Sequence, residues 1–330
     1  MDRRTFLSGM AIGALAAPAH AQAPASGRVA RIGILAMRNP GVANPFTDAL
    51  MEGLRERGYV AGSTLALDYP DAEGREERLP ELAAGLVRNK VDVILVIGPA
   101  PLEPARKATR TIPIVMVASS SDPVAEGIAQ SLGRPGGNVT GLTYAEPDRF
   151  KKQLEVLKSV ALRTRRVAVL WDFDLDIYRR QWEVPLTAAA RILGLEVLPP
   201  ARVRDAAELP GAFASMKQRQ ADAILVASGS FLLPSRAQVA ELALRHRLPA
   251  IAAFREFARA GLLLSYGPDL TDINRRAAGY VDRILKGAKP GDLPIELPEK
   301  FDLAINLGTA RALGLDVPQS VLLRANDVVQ

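Results

Sequence analysis

Residues 91–100 read VDVILVIGPA, and residues 221–230 read ADAILVASGS. Each stretch has an acidic residue, Asp92 or Asp222, then an unbroken apolar run, then small turn-forming residues. An apolar run without alternation is the pattern of a parallel strand covered on both faces. The two aspartates lie 130 positions apart, a spacing that points to a duplicated architecture.

Working outward from each copy gives the same order of elements. Before the first copy come ARIGILAM (30–37), the amphipathic NPFTDALMEGLRER (44–57), LALDY (65–69) and the helical REERLPELAAGLVRNK (75–90). After it come LEPARKATR (102–110) and TIPIVMVA (111–118). In the helix over 44–57, Asn44 suits the cap, Pro45 the first turn and Gly58 the stop. The second copy is preceded by RRVAVLWDF (165–173), VPLTAAARILGLEVL (184–198) and AELPGAFASMKQRQ (207–220), and followed by RLPAIAAF (247–254). The offset from Arg31 to Arg166 is 135 and that from Pro113 to Pro249 is 136. This is β-α-β grammar twice over, which predicts an α/β protein of two Rossmann-like lobes with parallel sheets.

The remaining segments tie the lobes together. GLLLSYG (261–267) reads as a strand, and TDINRRAAGYVDRILKG (271–287) as a helix with Asp272 in its first turn and Gly287 at its end. AKPGDLPIELPEK (288–300) is Pro-rich and without periodicity, as a crossing segment is expected to be. FDLAINL (301–307) and TARALGL (309–315) add a last strand and helix.

The first 21 residues, with Arg3-Arg4, an apolar run from Met10 to Ala17 and small residues at Ala19 and Ala21, read as a signal peptide cleaved near Ala21. The Arg pair followed by Thr5, Phe6 and Leu7 gives it the twin-arginine form. The run is too short to span about 30 Å of hydrocarbon. The expected destination is the periplasm. Composition narrows the function. The chain of 330 residues has no Cys and a formal net charge of +6, and of its two His residues His20 lies in the signal. That leaves no disulfide or thiolate chemistry, and only His246 for a triad or a metal. His246 reads as a helix-end side chain. The scattered Lys and Arg do not form a nucleic-acid groove. GRPGGN (133–138) lacks the Lys-Ser/Thr of a P-loop. In the acidic stretch from Asp172, Ile177 stands where a calcium loop needs Gly. No cofactor, no metal and no enzymatic activity are expected.

Several long blocks resemble one family. They are TIPIVMVASSSDPVAEGIAQSLGRPGGNVTGLTY (111–144), RLPAIAAFREFARAGLLLSYGPD (247–269), RRAAGYVDRILKGAKPGDLPIELPEKFDLAINLGTARALGL (275–315) and VPQSVLLRANDVV (317–329). They are similar to the substrate-binding proteins of bacterial ABC importers, some of which bind aromatic amino acids. The resemblance implies the type I periplasmic-binding-protein fold, a three-segment hinge, a small-molecule solute, and delivery to ABC permease membrane subunits without catalysis. We therefore expect lobe 1 over 28–145 plus 268–296, lobe 2 over 146–267 plus 297–330, and a monomer. A periplasmic sensory module that signals to a receptor is the alternative.

Ligands of open α/β sheets bind beyond the C-terminal strand ends, which places the candidate residues. In lobe 1 they are Asn39, Phe46, Gly98, Pro99, Ala100, Ser119, Ser120, Asp122, Thr143 and Tyr144. In lobe 2 they are Trp171, Asp172, Ser228, Gly229, Phe254, Arg255 and Tyr266. Each also has a structural reading: a core ring for Phe46, a helix cap for Asp122, hinge packing for Thr143 and Tyr144, and an ion pair with Glu256 or a hinge contact for Arg255. Hydroxyls and a carboxylate at a strand end suit a polar solute, and Trp171 beside Asp172 suits a ring or a cation. The family's Gly-Thr-Pro-Ala-Ala loop, which offers backbone donors to a carboxylate, is here Gly98-Pro99-Ala100-Pro101-Leu102. Its two prolines lack N–H groups, and Arg255 is a candidate replacement.

Overall fold

Asp92 and Asp222 do the same work in two separate sheets. The Asp92 N–H donates to the Arg31 carbonyl at 2.7 Å, and its Oδ2 accepts from the Arg31 N–H at 2.8 Å. The Asp222 N–H donates to Arg166 O at 2.9 Å, while its Oδ2 accepts from the N–H groups of Arg165 and Arg166 at 2.9 and 2.8 Å. Two residues before each aspartate, Lys90 and Gln220 turn the chain through left-handed backbone at φ 52° and 57°. Each carboxylate thus fixes the entry, and so the register, of one strand beside its neighbour. The structure is a computed structural model, which describes residues 28–37, 45–145, 148–172, 176–227, 231–299 and 301–330.

The strands are β1 (Ala30–Leu35), β2 (Leu65–Asp68), β3 (Val93–Ile97), β4 (Ile114–Ser119), β5 (Val139–Thr143), β6 (Arg166–Trp171), β7 (Glu196–Val197), β8 (Ala201–Arg202), β9 (Ala223–Ala227), β10 (Ala250–Ala252), β11 (Leu264–Pro268), β12 (Ile295–Glu296), β13 (Phe301–Asn306) and β14 (Asp327–Val329). The first sheet has the order β12-β5-β4-β3-β1-β2, and the second β14-β13-β11-β10-β9-β6-β7, with β8 also pairing β6. The repeated strands sit alike. Ile32 pairs Val93 beside β1, and Val167 pairs Ala223 beside β6. Every pairing is parallel except β11 with β13. Ile94, Leu95, Val96, Ile224 and Leu225 are almost wholly buried, as strands covered on both faces require.

The helices are α1 (Pro45–Arg55), α2 (Leu79–Arg88), α3 (Leu102–Ala108), α4 (Arg149–Val160), α5 (Asp176–Ile192), α6 (Leu209–Gln218), α7 (Arg236–Arg245), α8 (Arg255–Arg259), α9 (Leu270–Leu285), α10 (Leu307–Leu313) and α11 (Gln319–Leu322). Although α9 follows a strand of the second sheet, it packs on α1 beside the first. A Cβ on Gly53 would stand 2.8 Å from the Arg275 carbonyl and 2.9 Å from Ala278 Cβ, so glycine permits this close approach. Arg275 pairs Glu52 and Glu56, and the Tyr59 hydroxyl meets Asp282 Oδ1 at 3.1 Å. The chain therefore passes between the sheets three times: after β5, after β11, and between β12 and β13. No described helix is long and apolar enough to cross a membrane.

Several elements escaped the pattern reading. The Pro-rich crossing segment contains β12, a two-residue strand that pairs Ile295 with Gly141; flanking prolines hide its periodicity. The helices α4, α8 and α11 and the strands β5, β8 and β14 were not anticipated. The strand over 301–306 runs antiparallel to β11, because it enters the second sheet from the opposite end.

If the two aspartates are equivalent clamps, Asp92→Ala and Asp222→Ala should each destabilise the chain by about 0.5–1.5 kcal/mol, the net worth of hydrogen bonds at these solvent-exposed strand entries. Urea unfolding midpoints of the two variants would check this. An undiminished midpoint in either would contradict the clamp.

Candidate functional site

The first sheet delivers two loops to its C-terminal edge. At the end of β3, Gly98 turns at φ +79° and its N–H donates to Val117 O at 2.9 Å. The Leu102 N–H returns to Pro99 O at 3.3 Å. Pro99 and Pro101 have no N–H, and Glu103 in the first turn of α3 already holds Arg106 at 2.8 Å. This loop therefore does not present the backbone donor nest that a carboxylate needs. Gly98, Pro99 and Ala100 are half-buried along its rim.

The second loop follows β4. The register with β5 slips between Met116 and Ser119, where Ala118 adopts φ +51°. Opposite it, a Cβ on Gly141 would lie 2.3 Å from the Met116 carbonyl. This bulge redirects the strand end, the common use of such irregularities next to sites. Ser119, Ser120 and Ser121 are all buried. The Thr143 hydroxyl lies 3.0 Å from Ser119 O and 2.6 Å from Ser121 O, and accepts from the Ala145 N–H. Thr143 is thus a strap between β5 and the serine loop. Asp122 is exposed, and its Oδ1 accepts from the Val124 and Ala125 N–H groups at 3.1 and 3.0 Å. It caps the next turn.

Tyr144 is the point where the two sheets meet. Its N–H donates to Ser119 O at 2.8 Å, which fastens it to the first sheet. Its ring meets Phe254 from the second sheet edge-on, with centroids 5.8 Å apart. Burial pushes the Tyr144 phenol up; the Arg149 charge and the Ser120 hydroxyl pull it back, and the Asp172 charge pushes it further up. The phenol stays neutral, so it can both donate and accept. Asp172 reaches the site from β6 while its Oδ2 accepts from the Phe231 and Leu232 N–H groups at 2.8 and 2.9 Å. Ser120, Tyr144, Asp172 and Phe254 are therefore brought together, two on each side.

Other expected residues lie elsewhere. Trp171 is only 6% exposed and packs edgewise on Trp182 at 5.9 Å. It is core, because the last residue of β6 points its side chain under α5 rather than past the strand end. Phe46 is half-buried against the core of the first sheet. Arg255 does not pair with Glu256. It bonds Asp269 and stands 3.5 Å from Asp302, which makes it a hinge contact. Tyr266 stacks on Phe301 at 5.8 Å and lines a separate cavity of about 270 Å³ with Lys152 and Glu299. Asn39, Ser228 and Gly229 lie outside the described residues.

The sequence reading missed Arg149. It is 4% exposed, with its guanidinium 5.1, 4.7 and 4.8 Å from the ring centres of Tyr144, Phe150 and Trp182. The spacing of Phe150, Leu154 and Leu157 was the available signal for its helix. Among the described residues, no group of three or more His, Asp or Glu is placed to hold a metal ion.

Two lobes of parallel sheet, with three passages between them and polar groups converging where their strand ends meet, define a type I periplasmic-binding-protein fold. The family model described as ABC transporter substrate binding protein matches residues 34–329, and the chain belongs to that family. It is 26% identical over 279 residues to a "Tyrosine-binding protein" of Clostridioides difficile (strain R20291), covering 83% of this chain and 79% of that one. A conserved domain protein from Vibrio cholerae has a similar structure, with 26% identity and a TM-score of 0.82 over 91% of this chain and all of that one. So does an ABC domain in complex with L-Trp from Streptococcus pneumonia, with 26% identity and a TM-score of 0.81 over the same shares.

The loop after β4 also carries a titration. Burial pushes the Glu126 carboxyl up to about 6, with the Asp122 charge adding, despite hydrogen bonds to Asp122 and Ser121. The folded chain thus binds the proton more tightly than the unfolded chain, and stability falls as pH rises from about 4.5 to about 6. Glu126→Gln should melt with the unaltered chain at pH 4 and above it at pH 7. Parallel melting curves over that range would refute the assignment.

Proposed function

We propose that this protein is exported and captures a small solute between its lobes, closes about its hinge, and delivers the solute unaltered to an ABC permease. Its rigid bodies are 28–145 with 268–296, and 146–267 with 297–330. The observation that carries the reading is the convergence of Ser120 and Tyr144 from one sheet with Asp172 and Phe254 from the other. A solute held by both sides gains contacts only when the lobes are together, so it shifts the population toward closure. Membership of a substrate-binding family supports capture without chemistry, and the Arg3-Arg4 leader supports export.

The solute class we propose is an aromatic amino acid or a close analogue. The relatives named for tyrosine and crystallised with L-Trp support it, as do the Tyr144 and Phe254 rings, which offer an apolar wall to a flat ligand. Asp172 can meet an ammonium group. The carboxylate must find donors other than the Pro99–Pro101 loop, so the mode of binding differs from one built on that nest.

Purified chain screened against L-tyrosine, L-tryptophan, L-phenylalanine, aromatic acids and aliphatic amino acids should melt higher with the first three. At 100 times its Kd a ligand adds about 2.7 kcal/mol, a shift of a few degrees. X-ray scattering should show compaction with the same ligand. Stabilisation by none of the aromatic amino acids would sink the solute class, and a saturating ligand without compaction would sink closure.

Tyr144→Phe keeps the ring and removes the hydroxyl. It should weaken binding about tenfold, the loss of one buried hydrogen bond, while the free chain, which loses only the contact with Ser120, melts within a few degrees of the unaltered one. Equal affinity by calorimetry would remove Tyr144 from the site.

A further inference from the structure

The short loop after β10 touches all three passages between the lobes. Phe254 packs edge-on against Tyr144 at the first, with the ring planes at 86°. Arg255 bonds Asp269 at the second. Arg255 also stands 3.5 Å from Asp302, which leads in from the third. Beneath them, Gly267 in β11 lies so close to β10 that a Cβ would stand 2.0 Å from the Ala253 carbonyl, and Asp302 faces Gly267 across the β11–β13 pair.

These partners belong to different bodies. Phe254 and Arg255 begin α8, which packs on β11 and β13 of the second sheet. Asp269 is the N-cap of α9, and its carboxylate accepts from the Thr271 and Asp272 N–H groups at 2.8 and 3.3 Å. That helix is bound to α1 beside the first sheet. An ion pair between Arg255 and Asp269 therefore spans the two bodies at their pivot, with the second carboxylate of Asp302 holding the guanidinium in place. Burial alone would raise the Asp269 carboxyl, but the Arg255 hydrogen bond and charge, with the two N–H groups, hold it below the usual range. The pair is ionised, partly exposed, and open to screening by salt.

We propose that Phe254 and Arg255 form a hinge hub that stabilises the closed arrangement, so that Arg255 sets ligand affinity without touching ligand. This rests on the hinge closure proposed above. Arg255 is a positioning residue. Its ion pair exists in the arrangement in which Tyr144 meets Phe254, and opening the lobes pulls its partners apart. Removing it lowers the fraction of chain that is competent to bind, and the apparent Kd rises by the same factor.

The chain has no Cys, so Lys107→Cys on α3 and Lys217→Cys on α6 give a clean pair of spin labels, one on each lobe. Pulsed electron-spin distances would be recorded with and without L-tyrosine or L-tryptophan, alongside calorimetric Kd values. In Arg255→Gln the short-distance population should fall about threefold without ligand and Kd should rise about threefold. Arg255→Lys, which keeps the charge and loses the fork, should restore part of both. About 0.5 M NaCl should move the unaltered chain toward the Gln variant and leave that variant where it is. If Arg255→Gln fails to fold, Asp269→Asn keeps the helix cap, removes the charge that Arg255 meets across the pivot and carries the same test.

Coincident distance distributions and salt responses in the unaltered and Gln chains overturn the hub while leaving closure intact. Weaker binding with unmoved distances overturns it too, since Arg255 would then contact ligand. A single distance in the unaltered chain, with or without a ligand that binds, overturns hinge closure itself.

Discussion

A parallel strand cannot return by a hairpin, and the rest of this molecule follows from that constraint. Each strand must be followed by a crossover, so all the strand-end loops collect on one edge of the sheet. The long apolar runs of β3 and β9 demand cover on both faces, and the crossover helices supply it. What is left uncovered is the C-terminal edge, where the backbone leaves the sheet and side chains can be presented to a small molecule. Two such edges brought face to face make the place where Ser120, Tyr144, Asp172 and Phe254 gather. The aspartate clamps at the opposite edge keep each register, and with it the position of every strand end.

The three passages turn two similar halves into one device. They place α9, late in the chain, against α1, and they place α4 against the second sheet. Neighbours in sequence thereby become members of different bodies. Asp269 shows the consequence: one carboxylate caps a helix of the first body and receives an arginine from the second. Gly53 and Gly267 are needed for close approach rather than for unusual backbone, since neither has a positive φ. They mark where helix on helix and strand on strand come nearer than a methyl group allows.

Membership of a substrate-binding family fits a site built of hydroxyls, aromatic rings and one carboxylate. The same family likeness makes the departures informative. The Pro99–Pro101 loop forgoes the donors that hold a carboxylate, and Glu103 occupies the start of the helix that follows. In the proposed mode of binding, recognition leans on the serine loop after β4, on Tyr144 and on the second lobe. The bulge at Ala118, with Gly141 opposite, is the local device that aims that serine loop.

The sequence by itself determined the two-fold α/β plan. The apolar runs, the glycines at Gly58 and Gly287 that stop helices, and the echo of Asp92 in Asp222 are all local or periodic signals, and they survive in a linear reading. It also determined that Ser120, Asp172 and Phe254 stand at strand ends, and so at the useful edge, while Tyr144 was placed only at a passage between the lobes. Direction of the side chain is a different matter. Trp171 and Asp172 are neighbours, yet one faces the core under α5 and the other the cleft, because successive residues leave a strand on opposite sides. Arg255 pairs with Asp269 and Asp302 rather than with its neighbour Glu256, and β12 joins a strand more than 150 positions earlier, Gly141 meeting Ile295. These are contacts between distant parts of the chain, and only the tertiary structure decides them, because no period or spacing in the sequence encodes which surfaces will meet.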